Sequence, residues 1–333
     1  MPEFRYNILT GEWVIIATER AKRPIEFAQT VPRPSLPRLD PTCPFCPGNE
    51  NQTTCEIERT LNAAGTWQTR VVKNKYPALQ EDLKPTHSGD FFHTKIEGFG
   101  IHEVVIDSPR HDCTMTHLPL HDIETILKTY RSRYHALEAD KRVKHIIIFK
   151  NNGEKAGSSL THPHSQIIAT PIVSGQVEAR ITTTREYRKA SGRCLICDMI
   201  QREIEEQQRI VDKNAHFISF LPYAALSSYH TWIFPLRHNA HFGCLNDEEI
   251  PALAQILFNV LRGQEKLLQY PDYNFVIRSA PVECPNADYH WYISIIPRLT
   301  KTAGFEIGSN IYINGSLPER NALNLKNIID ALR

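Results

Sequence analysis

No segment of this chain approaches the roughly 20 consecutive apolar residues that span a bilayer, and Met1-Pro2-Glu3-Phe4-Arg5 opens without the apolar core of a secretory leader. A membrane protein is therefore not expected, and the expected location is the cytoplasm. Charge of one sign is also missing: 38 Lys and Arg against 37 Asp and Glu leave a net charge of +1. That balance argues against a general nucleic-acid or membrane surface, so any basic residues must act locally. Disorder is excluded by composition, with 41% hydrophobic and 23% charged residues. A length of 333 residues suggests about two domains.

Eight cysteines are present, four of them in Cys-x-x-Cys pairs. In a reducing compartment such pairs point to metal ligation rather than to a disulfide framework. The chain also repeats itself. Cys43-Pro44-Phe45-Cys46, Tyr76-Pro77-Ala78-Leu79 and Pro109-Arg110-His111 recur as Cys194-Leu195-Ile196-Cys197, Tyr223-Ala224-Ala225-Leu226 and Leu236-Arg237-His238. After each histidine come a helical stretch, a strand, a loop and a final strand opening with His162 or His290; the two histidines of a set are 51 and 52 residues apart. Ile123, Ile126, Leu127, Tyr130, Tyr134 and Leu137 mark the first helix, and Ile250, Leu253, Leu257, Leu261 and Leu268 the second, with Asn246 and Glu249 as a capping box. The intervening strands are expected at 145–149 and 274–277.

Two tandem similar units follow, 1–175 and 176–333, with the boundary near 172–185. They differ by an insertion of about 20 residues near 80–100, read as a surface loop, or as a dimer contact or lid. The proline-rich stretch 31–47 reads as an extended crossing segment.

Zinc favours four soft or borderline ligands in a tetrahedron, and a Cys-x-x-Cys turn supplies two. The repeat nominates the others: Cys43, Cys46, His111 and His162 in one unit, Cys194, Cys197, His238 and His290 in the other. Neither set leaves a position for water, so both are expected to be structural. Cys55, Cys113, Cys244 and Cys284 read as core thiols, and His117, His230 and His241 as packing residues.

The units part at the final strand. His162-Pro163-His164-Ser165-Gln166 places His162, His164 and Gln166 on one face, two residues apart. The matching positions read His290, Tyr292 and Ser294. The first unit thus keeps a free imidazole beside an anchored ligand. Nucleophilic attack on phosphorus needs a ring nitrogen with its lone pair free and the other nitrogen held as a donor, which a nearby backbone carbonyl can provide. Gln166 can donate to a phosphoryl oxygen, and Gly157-Ser158-Ser159 offers further donors.

Together with Gly11-Glu12-Trp13-Val14, Arg20-Ala21-Lys22-Arg23-Pro24, Arg70-Val71-Val72-Lys73-Asn74 and Gly304-Phe305-Glu306, these motifs resemble the galactose-1-phosphate uridylyltransferase family of the histidine-triad superfamily. The likeness runs along almost the whole chain. It implies an α+β fold of two similar units, each an antiparallel sheet with packed helices, in a homodimer. It makes His164 the nucleophile and Gln166 the stabiliser of a nucleotidyl intermediate, with Ser159 and Asn151 around the phosphates. Asn74 and Tyr76 would lie near the nucleoside, and Phe305 and Glu306 on a sugar-binding loop. Arg20 and Arg23 match phosphate-contacting arginines that can come from a neighbouring subunit. Tyr292, Ser294 and the second Cys-x-x-Cys depart from the iron-type site of the bacterial branch, and Lys301 is displaced by one residue; both features look like a sister branch of plant adenylyl-sugar phosphorylases.

The implied activity is transfer of UMP from UDP-hexose to a hexose 1-phosphate through His164. The alternatives are transfer of AMP from ADP-glucose to phosphate, nucleotide binding without catalysis, and hydrolysis; a glutamine at 166, in place of a third histidine, favours transfer over hydrolysis in the family's logic. The partners are then a nucleotide sugar and a sugar 1-phosphate, not a nucleic-acid polymer.

Overall fold

A computed structural model describes residues 1–22 and 36–333. Its centre is a ten-stranded antiparallel sheet. In chain order the strands are β1 (Glu56–Leu61), β2 (Trp67–Lys73), β3 (Ile101–Ile106), β4 (His145–Asn152), β5 (His164–Thr170), β6 (Ile210–Lys213), β7 (Phe217–Phe220), β8 (Thr231–Pro235), β9 (Tyr273–Arg278) and β10 (Tyr292–Pro297). They lie in the order β6-β7-β8-β10-β9-β4-β5-β3-β2-β1. The five strands of each half therefore occupy corresponding places, and the halves meet where β9 pairs with β4, Asn274 opposite Asn151 and Val276 opposite Phe149.

The helices are α1 (Leu120–Glu138), α2 (Gly175–Ser191), α3 (Leu195–Glu206), α4 (Glu249–Leu268), α5 (Gly304–Ser309) and α6 (Pro318–Leu332). Helices α1 and α4, equivalent in the repeat, pack on each other and on one face of the whole sheet. Ile126, Tyr130, Leu257 and Val260 join Ile148, Ile167, Phe275 and Ile293 in a single apolar core that crosses the seam. The stripe of i, i+3, i+4 apolar residues on each helix is the reason both lie this way. Helix α4 starts as its sequence suggests: Asn246 N donates to Glu249 Oε2 at 3.0 Å and Glu249 N donates to Asn246 Oδ1 at 2.8 Å.

The opposite face distinguishes the halves. Over β8 and β10, α2 and α3 bury Val177, Ile181, Ile196 and Ile200 against Trp232, Phe234 and Tyr292. Over β2 and β3, among the described residues, there is a small cluster of Trp67, Val72, Val104, Ile106 and Phe45. A three-stranded sheet joins the chain's two ends: Glu3–Tyr6 pairs antiparallel with Trp13–Ile16, and Tyr312–Asn314 runs parallel to the latter.

Several expectations are corrected. The final strands begin at His164 and Tyr292, two residues later than expected. In the first case Pro163 lacks the N–H that a ladder position needs. The stretch 172–185 given as the boundary between the units falls mostly within α2. Of the four spare thiols only Cys113 is buried; Cys55 and Cys244 are exposed and Cys284 is half-buried. The part of the proline-rich stretch that is described, 36–47, has neither helix nor strand, and 31–35 lie outside the described residues. The insertion is closed at its neck, with Gln80 bridged to Phe99 and Arg142 stacked over Phe99 at 4.0 Å, and it carries Phe91 and Phe92 out to solvent. Among the described residues no helix is long and apolar enough to cross a membrane.

Candidate active site and metal centres

The two Cys-x-x-Cys turns each meet the two histidines nominated by the repeat, and the potential ligand atoms of each set lie within 4.8 Å of one another. In the first set Cys43 Sγ is 3.7 Å from His162 Nδ1, and Cys46 Sγ is 3.6 Å from both His111 Nδ1 and His162 Nδ1. In the second, Cys197 Sγ is 3.4 Å from His238 Nδ1 and 3.6 Å from His290 Nδ1. A zinc tetrahedron with Zn–S of about 2.3 Å and Zn–N of about 2.0 Å has S···N edges of about 3.5 Å. Both clusters fit a metal of that size.

The far nitrogens agree. His162 Nε2 faces Ser108 O at 2.8 Å, His238 Nε2 faces Asn286 O at 2.8 Å and His290 Nε2 faces Pro235 O at 2.9 Å. A carbonyl can only accept, so each Nε2 carries the proton and each Nδ1 lone pair points into the cluster. The sites differ in access. All four groups of the first are buried, whereas Cys194, Cys197 and His238 are half-exposed beside an open bowl of about 530 Å³ lined by Arg188, Arg193 and Asn286.

Two residues along from His162, His164 opens β5. Its Nδ1 donates to the carbonyl of His162 at 2.9 Å, which leaves Nε2 with a free lone pair. Burial pushes the imidazole below its ordinary pKa, and the Lys150 ammonium adds to the shift. The ring is therefore uncharged at neutral pH, as a nucleophile must be. Phe45, inside the first Cys-x-x-Cys turn, packs on both His162 and His164, with ring centroids 6.0 and 5.5 Å away. The Cys-x-x-Cys turn thereby holds the edge of the His164 ring.

Gln166 lies on the same face, opposite Val104 of β3 and Phe149 of β4. Continuing that register sets Asn151 alongside His164. Asn151 Oδ1 accepts from Asn274 Nδ2 at 2.8 Å, across the seam. Beyond β4 the chain turns through Gly153 and Gly157, whose φ values are +92° and +85°. A Cβ on Gly153 would sit 1.9 Å from the Asp272 carboxylate, so only glycine fits. Ser158 turns its hydroxyl inward to Leu160 O at 2.7 Å, while Ser159 is exposed. Asn74 caps the following loop, Oδ1 accepting from Tyr76 N at 2.8 Å, and Tyr76 projects into solvent at 83% exposure.

Other nominated residues lie on other elements. Arg20 is exposed on the short 3-10 turn Thr18–Lys22, and Arg23 lies outside the described residues. Phe305 and Glu306 are on helix α5, not on a loop, and Glu306 Oε2 accepts from Ala303 N at the helix start at 3.0 Å.

Sequence reading missed a buried polar network behind His164. Lys150 Nζ donates to Asp107 Oδ2 at 2.6 Å and to the His164 carbonyl at 2.8 Å, and both charged side chains are essentially without solvent contact. Ser165 donates to the same carboxylate at 2.9 Å, and Tyr130 OH donates to Ser165 Oγ at 2.5 Å. Strand register makes Ile277 the counterpart of Lys150, because Val276 faces Ser294 as Phe149 faces Gln166. The ion pair belongs only to the half that holds His164.

Residues 1–174 match the N-terminal domain, and 180–312 the C-terminal domain, of galactose-1-phosphate uridyl transferase. The ADP-glucose phosphorylase of Arabidopsis thaliana is 35% identical over 323 residues, spanning 96% of this chain and 90% of that protein. The galactose-1-phosphate uridylyltransferase of Thermotoga maritima is 30% identical over 339 residues, 98% of each. A crystal structure of the Arabidopsis phosphorylase with bound ADP-glucose superposes with a TM-score of 0.85 at 33% identity, covering 98% of this chain and 99% of that one. With both domains matched in order and the Cys, His and Gln positions assembled as described, the chain belongs to the galactose-1-phosphate uridyl transferase family of nucleotidyltransferases.

Proposed function

We propose that this chain moves a nucleotidyl group from a nucleotide sugar to a phosphate-bearing acceptor by way of a covalent nucleotidyl-His164. The observation that carries the reading is the tethered tautomer: Nδ1–H is held by the His162 carbonyl and Nε2 is free. Nε2 attacks the α-phosphorus, a P–N bond forms, and the P–O bond to the sugar phosphate breaks with its electron pair leaving on that oxygen. An acceptor phosphate oxygen then attacks the same phosphorus, the P–N bond breaks, and the imidazole regains its lone pair. No proton need leave the ring in either step. Gln166 donates to a non-bridging oxygen, with Asn151, Gly157, Ser158 and Ser159 at the phosphates and Asn74 and Tyr76 at the nucleoside.

In the same reading Phe305 and Glu306 meet the sugar hydroxyls, and Arg20 and Arg23 serve phosphate from the second copy of a homodimer. Zinc in the two Cys/His clusters anchors the strands without touching substrate. Residues 1–175 act as the catalytic unit and 176–333 as its scaffold.

Adenylyl transfer from ADP-glucose to inorganic phosphate is the first reading of the substrates. Likeness to the Arabidopsis phosphorylase supports it, as do Tyr292, Ser294 and the second Cys/His cluster. This reverses the order suggested by the sequence alone. Uridylyl transfer to a hexose 1-phosphate stands second, favoured by the full-length likeness to the Thermotoga enzyme. Incubation with ADP-glucose or UDP-glucose labelled at the α-phosphate decides between them. The expected result is acid-labile label on His164 from ADP-glucose, released by phosphate. Label from UDP-glucose alone would install the second reading, and no label from either would remove the covalent mechanism.

A further inference from the structure

His102 lies on β3 two residues from Val104, which pairs with Gln166, so His102 and Gln166 are diagonal neighbours on one face. The ring Nε2 stands 2.8 Å from Gln166 Oε1, and Nδ1 stands 3.4 Å from the backbone N of Ala78. A peptide N–H can only donate. Nδ1 is therefore the acceptor, and the ring proton sits on Nε2. Nε2–H then donates to Gln166, which must offer its carbonyl oxygen in that direction and turn its NH2 group away. Asn74 Nδ2, aimed there because its Oδ1 accepts from Tyr76 N, also faces the same ring nitrogen at 3.1 Å. The tautomer with the proton on Nε2 serves both the Ala78 N–H and the Gln166 oxygen, whereas the other serves Asn74 alone. The opposite tautomer would rotate the glutamine oxygen toward the phosphates, setting acceptor against acceptor.

The second half of the chain supplies an internal comparison. Trp232 pairs with Ser294 as Val104 pairs with Gln166, which makes His230 the counterpart of His102. His230 Nε2 is 2.8 Å from Ser294 Oγ, but it also accepts from Trp232 Nε1 at 3.1 Å, and an indole N–H can only donate. The polarity is reversed. A histidine that donates toward position 166 or its counterpart is found only in the half containing His164.

We propose that His102 is a positioning residue: it locks the Gln166 amide so that the NH2 group donates to the non-bridging oxygen of the phosphoryl group at His164. The proposal rests on the nucleotidyl-His164 reading. It also has a reach beyond the strand. Ala78 sits in the loop that begins at Asn74 and Tyr76, so the segment assigned to the nucleoside sets the polarity of the phosphoryl contact through the tautomer of His102.

The test is the single-turnover rate of label transfer from nucleotide sugar to the metal-loaded protein, compared in a double-mutant cycle. His102→Phe removes the donor, and the expected loss in rate is about tenfold, less than the roughly hundredfold or more lost when a transition-state donor is deleted outright. Nucleotide-sugar affinity should change little. His102→Gln, whose amide nitrogen reaches the same point, should restore most of the rate. In a Gln166→Ala background His102→Phe should have no further effect. Equal losses in both backgrounds, or no loss in the parent, would overturn the proposal by making His102 structural or idle. If His102→Phe does not retain its metal and melting midpoint, His102→Leu takes its place in the cycle. Absence of label on the parent protein would remove the His164 reading and His102 with it, whereas a labelled parent with additive mutants would remove His102 alone.

Discussion

His164 can be separated from its surroundings because the groups that place it are different residues. His164→Gly should keep its metal, since His162 and the cysteines are untouched, and should lose covalent labelling. Added imidazole can then enter the vacated space and attack, giving free nucleotidyl-imidazole detectable by mass. Rescue should be partial, because a tethered ring has a positioning advantage of several kcal/mol over a diffusing one, about 7 to 11 at most. Restored transfer without that product would indicate a general base instead. Lys150 makes a different prediction. Lys150→Met strands the Asp107 carboxylate in the core and should cost about 3 to 5 kcal/mol, read as a lower urea midpoint. Lys150→Ile combined with Asp107→Leu, which imitates the apolar second half, should recover most of that stability while slowing transfer. The Cys and His ligands and His164 were legible because spacing and repetition are local patterns. His102, Lys150 and Asp107 were not, because their partners lie on neighbouring strands and the pairing register is a tertiary fact.

Among the elements, the two Cys-x-x-Cys turns have the same ligands and different exposure, so they should not release metal together. Dilute chelator is expected to remove metal in two phases, the faster from Cys194, Cys197, His238 and His290, which border the open bowl, and the slower from the buried first cluster. Cys194→Ser should abolish the fast phase and leave one equivalent bound. Metal analysis during chelation distinguishes this from a single phase, which would mean the sites open by a shared unfolding event. Helices α1 and α4 were legible from their periodicity, and the Asn246 cap from its box. The late start of β5 was foreseeable from Pro163. Helix α5, where the resemblance implied a loop, was not legible because six residues are too few for a periodic signal, and its first turn depends on Glu306 reaching back to Ala303. The sheet joining Glu3–Tyr6, Trp13–Ile16 and Tyr312–Asn314 brings together residues some 300 positions apart, beyond any local pattern.

At the scale of the molecule, the duplication was plain in the sequence, but the way its halves join was not. Nothing in a strand's own residues says which edge it will meet. The shared core under α1 and α4 implies that the halves unfold as one. Leu257→Ala, in the second half, should cost about 2 to 5 kcal/mol and lower the midpoints of helix loss and of metal release from both clusters by the same amount. Separate transitions would mean that the seam between β4 and β9 is the weaker boundary. That seam has a further consequence. Asn274 donates both to Asn151 Oδ1 and to the Ala156 carbonyl, each at 2.8 Å, so a residue of the second half pins the segment that the proposed mechanism sets around the phosphates. After the duplication the two copies were no longer free to drift separately: a change at Asn274 is inherited as a change at Asn151 and Ala156. Under the proposed mechanism, anyone evolving this enzyme toward a new nucleotide has a handle there, in the copy that lacks His164, from which the loop after β4 can be retuned without touching His164 or Gln166.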